Sequence, residues 1–524
     1  MGRALGRGAL SAAKAEAAPP ADLAALARGG RINFFGFCVR LAARLPFLFI
    51  AGRIYGAGAL GRFAYAVLIV EFAAQLATLG LKRGLAQQLA RTDKPHACVA
   101  WDSLIVAGLG SCVAMGILMV FPQAMFPNSS LTGLEWLLPI TIIALAWSDI
   151  MLAALAYRHD VTSTVRARAI VEPTIISAAA LAWSFISTRD GLIISYVLSM
   201  VGALVASAIP FFRSYGVPHG WRPEPGTLWN IARRNVPVAA ADAVEWGSRR
   251  IDIAVLGLFF RPEIVGIYYV AQNVASLPAK LKTSFDPILG PVIARNLERN
   301  DKAAVAKQVR QVGFWVIAAQ LGVAIALAIP GEAVMGLVGP AFVSGTAALV
   351  FLLAAEVIAA MAAVSEAALI YVARHRNMLI SLAMIVLEAG LAIALIVAMR
   401  ALKLPVAWQA TGPALGLALA LGFAAVAKSR LLCRILGERV NGWRWPLVWA
   451  AAAGTAVGVL ATYLPEWAEL VFGIPGILLA FGAVLWTKGF GPQDRELFRM
   501  SKEDVQELAE AELPAPGTTG DVVR

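Results

Sequence analysis

Apolar residues in this chain come in long unbroken runs, and polar residues gather between the runs instead of alternating with them. Neither the two-residue period of a half-buried strand nor the single stripe of a soluble amphipathic helix describes this pattern; such runs are apolar on nearly every face. About twenty apolar residues suffice for a helix to cross a bilayer. On that measure fourteen helices are expected, at roughly 32–51, 63–81, 97–120, 134–156, 169–187, 191–211, 236–259, 264–289, 311–330, 347–371, 378–399, 405–427, 446–464 and 470–487. The pattern predicts an all-α polytopic membrane protein with about 14 transmembrane helices.

The charges between the runs orient the chain. The tails and the connections after even-numbered runs hold 33 Lys and Arg residues, whereas the connections after odd-numbered runs hold six. Positive residues stay on the cytoplasmic side, so both termini are expected there. Composition agrees, with 59% hydrophobic and 15% charged residues and a mean hydropathy of +0.72. The net charge of +12 follows from the basic run ends, and nucleic acid is not implied as a partner. Four scattered cysteines (Cys38, Cys98, Cys112, Cys433) and four histidines in connections form neither a disulfide framework nor a metal site. No cofactor and no metal are expected.

The chain also repeats itself. At an offset of 205 residues Gly52 falls on Gly257, Gly61 on Gly266, Ala66 on Ala271, Leu76 on Leu281 and Arg44 on Arg249. Six runs separate the copies, so both enter the membrane in the same direction, as two six-helix lobes in parallel pseudo-repeat. The expected organisation is a cytoplasmic tail (1–31), an N-lobe of six helices (32–212), a cytoplasmic linker (213–235), a C-lobe of six helices (236–428), two C-terminal helices (429–487) and a cytoplasmic C-terminal tail (488–524).

A few charges interrupt the apolar runs, and each costs about 2.5–3.5 kcal/mol at mid-bilayer unless it faces protein or a hydrated cavity. In the seventh run Asp242, Glu245, Arg249 and Asp252 are spaced three, four and three apart, which on one continuous helix makes a single polar stripe. Arg250 flanks it. The first run carries Arg40 and Arg44, the eighth Lys280 and Lys282, and the second Glu71. Forked guanidinium donors suit phosphate oxygens, so Arg40, Arg44, Arg249, Arg250, Lys280 and Lys282 are the candidate substrate-binding residues for an anionic, phosphate-bearing cargo. The alternative is that the arginines only bridge helices through nearby acids. Glu71, Asp242, Glu245, Asp252 and Glu388 are candidates to exchange a coupling ion.

Several segments resemble the multidrug/oligosaccharidyl-lipid/polysaccharide (MOP) exporters, and within them the polysaccharide-type flippases of lipid-linked oligosaccharides. They are Ala51-Gly52-Arg53-Ile54-Tyr55-Gly56 through Gly61-Arg62-Phe63-Ala64-Tyr65-Ala66, then Arg83-Gly84-Leu85-Ala86-Gln87-Gln88, Asp252-Ile253-Ala254-Val255-Leu256-Gly257 and Val265-Gly266-Ile267-Tyr268-Tyr269-Val270-Ala271. The resemblance implies alternating access of two lobes in a bacterial cytoplasmic (inner) membrane. A polyprenyl-pyrophosphate-linked glycan would be reoriented for surface polysaccharide synthesis, with H+ or Na+ coupling and a polysaccharide polymerase or assembly proteins as partners. Three other readings compete. A peptidoglycan-precursor flippase tends to show an adjacent Arg-Asp pair in its first helix, which Arg44-Leu45-Pro46 lacks. A drug/cation antiporter usually has fewer helices and an acidic cavity. A membrane glycan polymerase or glycosyltransferase needs large external loops or an acidic metal-nucleotide motif, and neither is visible; the protein is therefore not expected to be an enzyme.

Overall fold

The computed structural model describes residues 45–491 apart from 92–93, 130, 132, 219–220, 248–249, 283–292, 294–295, 298 and 300. Helix occupies most of the described part of every predicted run. The first-half elements are α1 (45–55), α2 (Gly56–Ala77), α3 (Leu81–Arg91), α4 (His96–Val120), α5 (Thr141–Tyr157), α6 (161–184) and α7 (Gly191–Tyr215). The second half comprises α8 (Pro225–Gly247), α9 (Ile251–Phe259), α10 (Pro262–Lys282), α11 (Lys302–Ala328), α12 (Thr346–Val372), α13 (Arg374–Ala401) and α14 (Gly412–Leu436). The chain continues through α15 (Pro446–Ala461) and α16 (Glu466–Gly489). Among the described residues nine helical segments are long and apolar enough to cross a membrane, and α15 is a shorter apolar helix. This is a multi-pass membrane protein.

Local chemistry accounts for several helix ends. Asp160 and Asp301 accept backbone N–H bonds from Ser163 and Ala304, 3.1 and 2.9 Å long, at the starts of α6 and α11. Gly56, at φ +81°, ends α1. The start of α2 differs from expectation: residues 56–62 fall in the gap between the first two expected runs, yet they are helical. Gly61 among them serves packing instead of a turn. A Cβ on Gly61 would lie 1.7 Å from the Pro262 carbonyl oxygen, and one on Gly266 would lie 2.1 Å from that of Ala57. The contact is reciprocal, because the 205-residue offset carries Ala57 onto Pro262 and Gly61 onto Gly266. Helices α2 and α10 thus cross backbone to backbone.

The apolar cores show how the two halves relate. One large cluster joins both, running from Leu60, Phe63, Leu138 and Tyr196 to Leu256, Tyr268, Phe342 and Leu349. It lies at the end carrying the odd-numbered connections. Toward the other end the core divides. One cluster is built within the first half, around Leu85, Leu104, Ile150 and Phe211, and another within the second, around Val309, Phe314, Leu369 and Leu432. The halves are joined at one end and have separate cores at the other.

The seventh predicted run departs most from its reading. Helix α8 is described to Gly247 and α9 starts at Ile251, and Arg250 before it, at φ −139° and ψ −2°, is not helical, so α8 and α9 are distinct pieces. Helix α8 packs mainly on α2, α3 and α4 of the first half and touches α13, whereas α9 packs mainly on α10, α13 and α14 of the second and touches α2. The single stripe expected over Asp242, Glu245, Arg249 and Asp252 does not persist across this break.

A polar cavity beside the crossing helices

A cavity of about 490 Å3 opens among α2, α3, α5, α6 and the end of α8. Glu71 and Gln75 come from α2 and Thr78 from its C-cap, and spacings of four and three place them on one side. Lys82 enters from the first turn of α3, Asp149 from α5, and Thr164, Arg168 and Glu172 from α6. Trp246, from the last turn of α8, closes one side and stacks on Phe72 with centroids 5.1 Å apart.

The charges in this wall are paired. The Lys82 ammonium lies 3.0 Å from one Asp149 oxygen, and Arg168 Nη2 donates to the other. Arg168 Nη1 donates to Glu172 Oε2 at 2.9 Å, so the guanidinium spans two carboxylates. Arg250, the one candidate substrate-binding residue whose side chain is described, sits 3.8 Å from Glu71 and over the Trp246 ring at 5.9 Å. Arg40, Arg44 and Arg249 lie outside the described residues, as do the side chains of Lys280 and Lys282 in the last turn of α10. Among the described lining residues three carboxylates (Glu71, Asp149, Glu172) face two cations (Lys82, Arg168).

The remaining coupling candidates separate into two places. Asp242 and Glu245 both approach Arg83 of α3, at 3.0 and 2.7 Å, and tie α8 to the first half. Asp252 and Glu388 are fully buried in the second half. Asp252 accepts hydrogen bonds from the Tyr268 hydroxyl at 2.8 Å, from Gln272 Nε2 at 2.8 Å to the nearer oxygen, and from the Ile253 N–H at 2.8 Å. Glu388 lies on α13, which packs against the α9 that carries Asp252, and neither of its oxygens has a hydrogen-bond partner among the described residues.

Several of these groups escaped the sequence reading. Lys82 and Arg168 count there as connection charges, as does Lys428, which is buried in α14 against Glu366 at 3.1 Å and Ser381 at 3.0 Å. The Arg168–Glu172 spacing of four was a readable signal for one of these pairs. Nothing local joins Asp149 to Lys82, 67 positions away.

A family profile described as "Polysaccharide biosynthesis protein" matches residues 50–339, more than half of the chain. The chain belongs to the polysaccharide biosynthesis protein family. Solved structures agree on the fold. A lipid II flippase, MurJ, in an inward closed conformation superposes with a TM-score of 0.66 at 11% identity, covering 89% of this chain and 100% of that one. An inward-facing multidrug resistance MATE family transporter of the MOP superfamily gives 0.61 at 14% identity, over 76% and 98% of the two chains. A MOP superfamily transporter from Pyrococcus furiosus, for which a binding pocket of reverse polarity is described, gives 0.54 at 13% identity over 79% and 95%. Among curated proteins none matches the sequence. This polysaccharide biosynthesis protein therefore has the polytopic helical fold of the MOP superfamily.

Proposed function

We propose that the protein reorients a polyprenyl-pyrophosphate-linked oligosaccharide across the bacterial inner membrane by alternating access of its two halves. The observation that carries this reading is a polar cavity walled by first-half helices and closed by Trp246 of α8, in a molecule whose two halves share a core at one end and have separate cores at the other. Membership of a polysaccharide biosynthesis family supports a glycan as cargo. The obstacle to flipping is a polar head group in hydrocarbon, where unsatisfied groups cost several kcal/mol each. A hydrated groove with fixed polar groups removes much of that cost, and no covalent step is required. The separated end carries the even-numbered, Lys/Arg-rich connections, which supports reading it as the cytoplasmic side.

The basic residues Arg40, Arg44, Arg249, Arg250, Lys280 and Lys282 belong to the cargo path in this reading, with Arg250 placed at the cavity edge by Glu71 and Trp246. The coupling ion belongs to Asp252 and Glu388. A buried carboxylate with no hydrogen-bond partner among the described residues, on a helix packed against the one that carries a second buried carboxylate, is costly unless a proton or cation is shared there. The three-to-two excess of carboxylates in the cavity favours one second reading, export of a cationic compound. Reconstitution in proteoliposomes with three cargoes decides between them: a polyprenyl-pyrophosphate oligosaccharide, lipid II and a cationic dye. Movement of the first, and its loss in Arg44→Ala and Arg249→Ala at unchanged protein abundance, is the expected result. Movement of the dye alone overturns the assignment, and movement of lipid II in preference to the oligosaccharide replaces the cargo.

A further inference from the structure

We infer that Lys82 and Arg168 form a phosphate-binding pair held in reserve by Asp149, and that the pyrophosphate of the cargo takes the place of the Asp149 carboxylate. This rests on the reading of the protein as a polyprenyl-pyrophosphate transporter and adds residues that lie outside the basic set of the first, seventh and eighth runs.

Two ion triads in the first half show why the Asp149 cluster stands apart. Glu135 receives Arg62 at 2.6 Å, Arg189 at 3.2 Å and the Gly133 N–H at 2.6 Å. Its side chain is only 5% exposed, and none of these three charged residues lines the 490 Å3 cavity. That triad clamps the joined end. Asp149 also holds two cations, but all three members line the cavity, with Lys82 48%, Arg168 23% and Asp149 17% exposed.

The division of labour within Arg168 suits exchange. Nη1 is committed to Glu172, one helical turn away on the same α6, which fixes the plane of the guanidinium. Nη2 points to Asp149 on a different helix. An anion that displaces Asp149 meets Nη2 already aimed and the Lys82 ammonium on its other flank. The carboxylate brings one negative charge to the pair, whereas a pyrophosphate brings more charge and more acceptor oxygens to the same donors, which favours exchange. Asp149 remains at the site as a competitor. When the groove opens to the other side, its return to Lys82 and Arg168 displaces the head group and limits trapping of a tightly held cargo.

The test uses the purified full chain, with binding followed through the fluorescence of Trp246 in the cavity wall, against a background in which the other tryptophans are replaced. The probes are polyprenyl pyrophosphate, inorganic pyrophosphate and sulfate. Asp149→Asn removes the competitor and is expected to tighten polyprenyl pyrophosphate about tenfold, while Arg168→Gln and Lys82→Gln weaken it about tenfold or more. Arg168→Lys keeps the charge and should recover part of the loss, which separates a binding role from a folding defect. Affinities within about twofold of the parent in both Asp149→Asn and Arg168→Gln, beside a parent that binds, overturn this pair alone. No binding of polyprenyl pyrophosphate by the parent overturns the cargo reading and the pair with it. Sulfate or inorganic pyrophosphate bound as tightly as the lipid overturns the lipid head group as the ligand.

Discussion

Asp252 and Glu388 illustrate how different two buried acids of one lobe can be. Asp252 is saturated, with three donors converging on it from the α9 backbone and from α10. Tyr268→Phe deletes one of these bonds to a charged acceptor, which costs about 1.5–3 kcal/mol. That loss should appear as a lower unfolding temperature in detergent, and an unchanged temperature would show that the bond contributes nothing. Glu388 has no such donors among the described residues, so replacing it should not destabilise the fold in the same way. Glu388→Gln is expected to keep or raise thermal stability and to abolish the response of transport to an imposed proton or sodium gradient. A variant that transports and still responds to both gradients removes Glu388 from the coupling site.

Among the elements, the crossing of α2 and α10 and the bridging of α8 decide where the halves meet. The crossing needs hydrogen as the side chain at Gly61 and Gly266, since a methyl on either would lie within 2.1 Å of a carbonyl oxygen on the facing helix. Gly61→Ala is therefore expected to cost about 1–3 kcal/mol of packing at the joined end. In a transporter that cost biases the protein toward the arrangement in which this crossing is apart. The measurement is modification of a cysteine at Asn128, whose native side chain donates to the Gly257 and Phe260 carbonyls across the junction at 2.8 and 3.1 Å. Labelling should rise in the Gly61→Ala background relative to a control with Gly61 intact, and equal labelling would argue that the crossing does not open. Helix α8 is held differently, by Arg83 on Asp242 and Glu245, so Arg83→Ala leaves the nearly buried Asp242 without its cation. Loss of transport with an intact joined end is the expected consequence, read as unchanged labelling at Asn128.

For the whole molecule, the shared core at one end and separate cores at the other define which side the cavity serves. A cysteine at Thr164, in an otherwise cysteine-free chain, should react with an impermeant maleimide applied from the cytoplasmic side and be protected when cargo is bound. Reaction only from the opposite side would reverse the orientation drawn from the basic connections.

Much of this architecture was legible in sequence. Helices, their lengths and their approximate places follow from the apolar runs, because a backbone in hydrocarbon must satisfy its own hydrogen bonds and twenty or so residues are needed to cross. The offset that pairs Gly61 with Gly266 was also readable, and it marks two residues that touch. The tertiary structure decided which charges meet. Lys82 and Asp149 are 67 positions apart, and Arg83 and Glu245 are 162 apart, so no local spacing encodes either pair. The seventh run looked like one helix with one polar stripe because helical periodicity assumes an unbroken backbone. Its pieces pack mainly against different halves, and that division turns Asp242 toward Arg83 and Asp252 toward Tyr268 and Gln272. Hydrophobic transfer acts on each segment alone and is written in the segment's own residues, whereas ion pairing depends on where close helix crossings bring distant segments together.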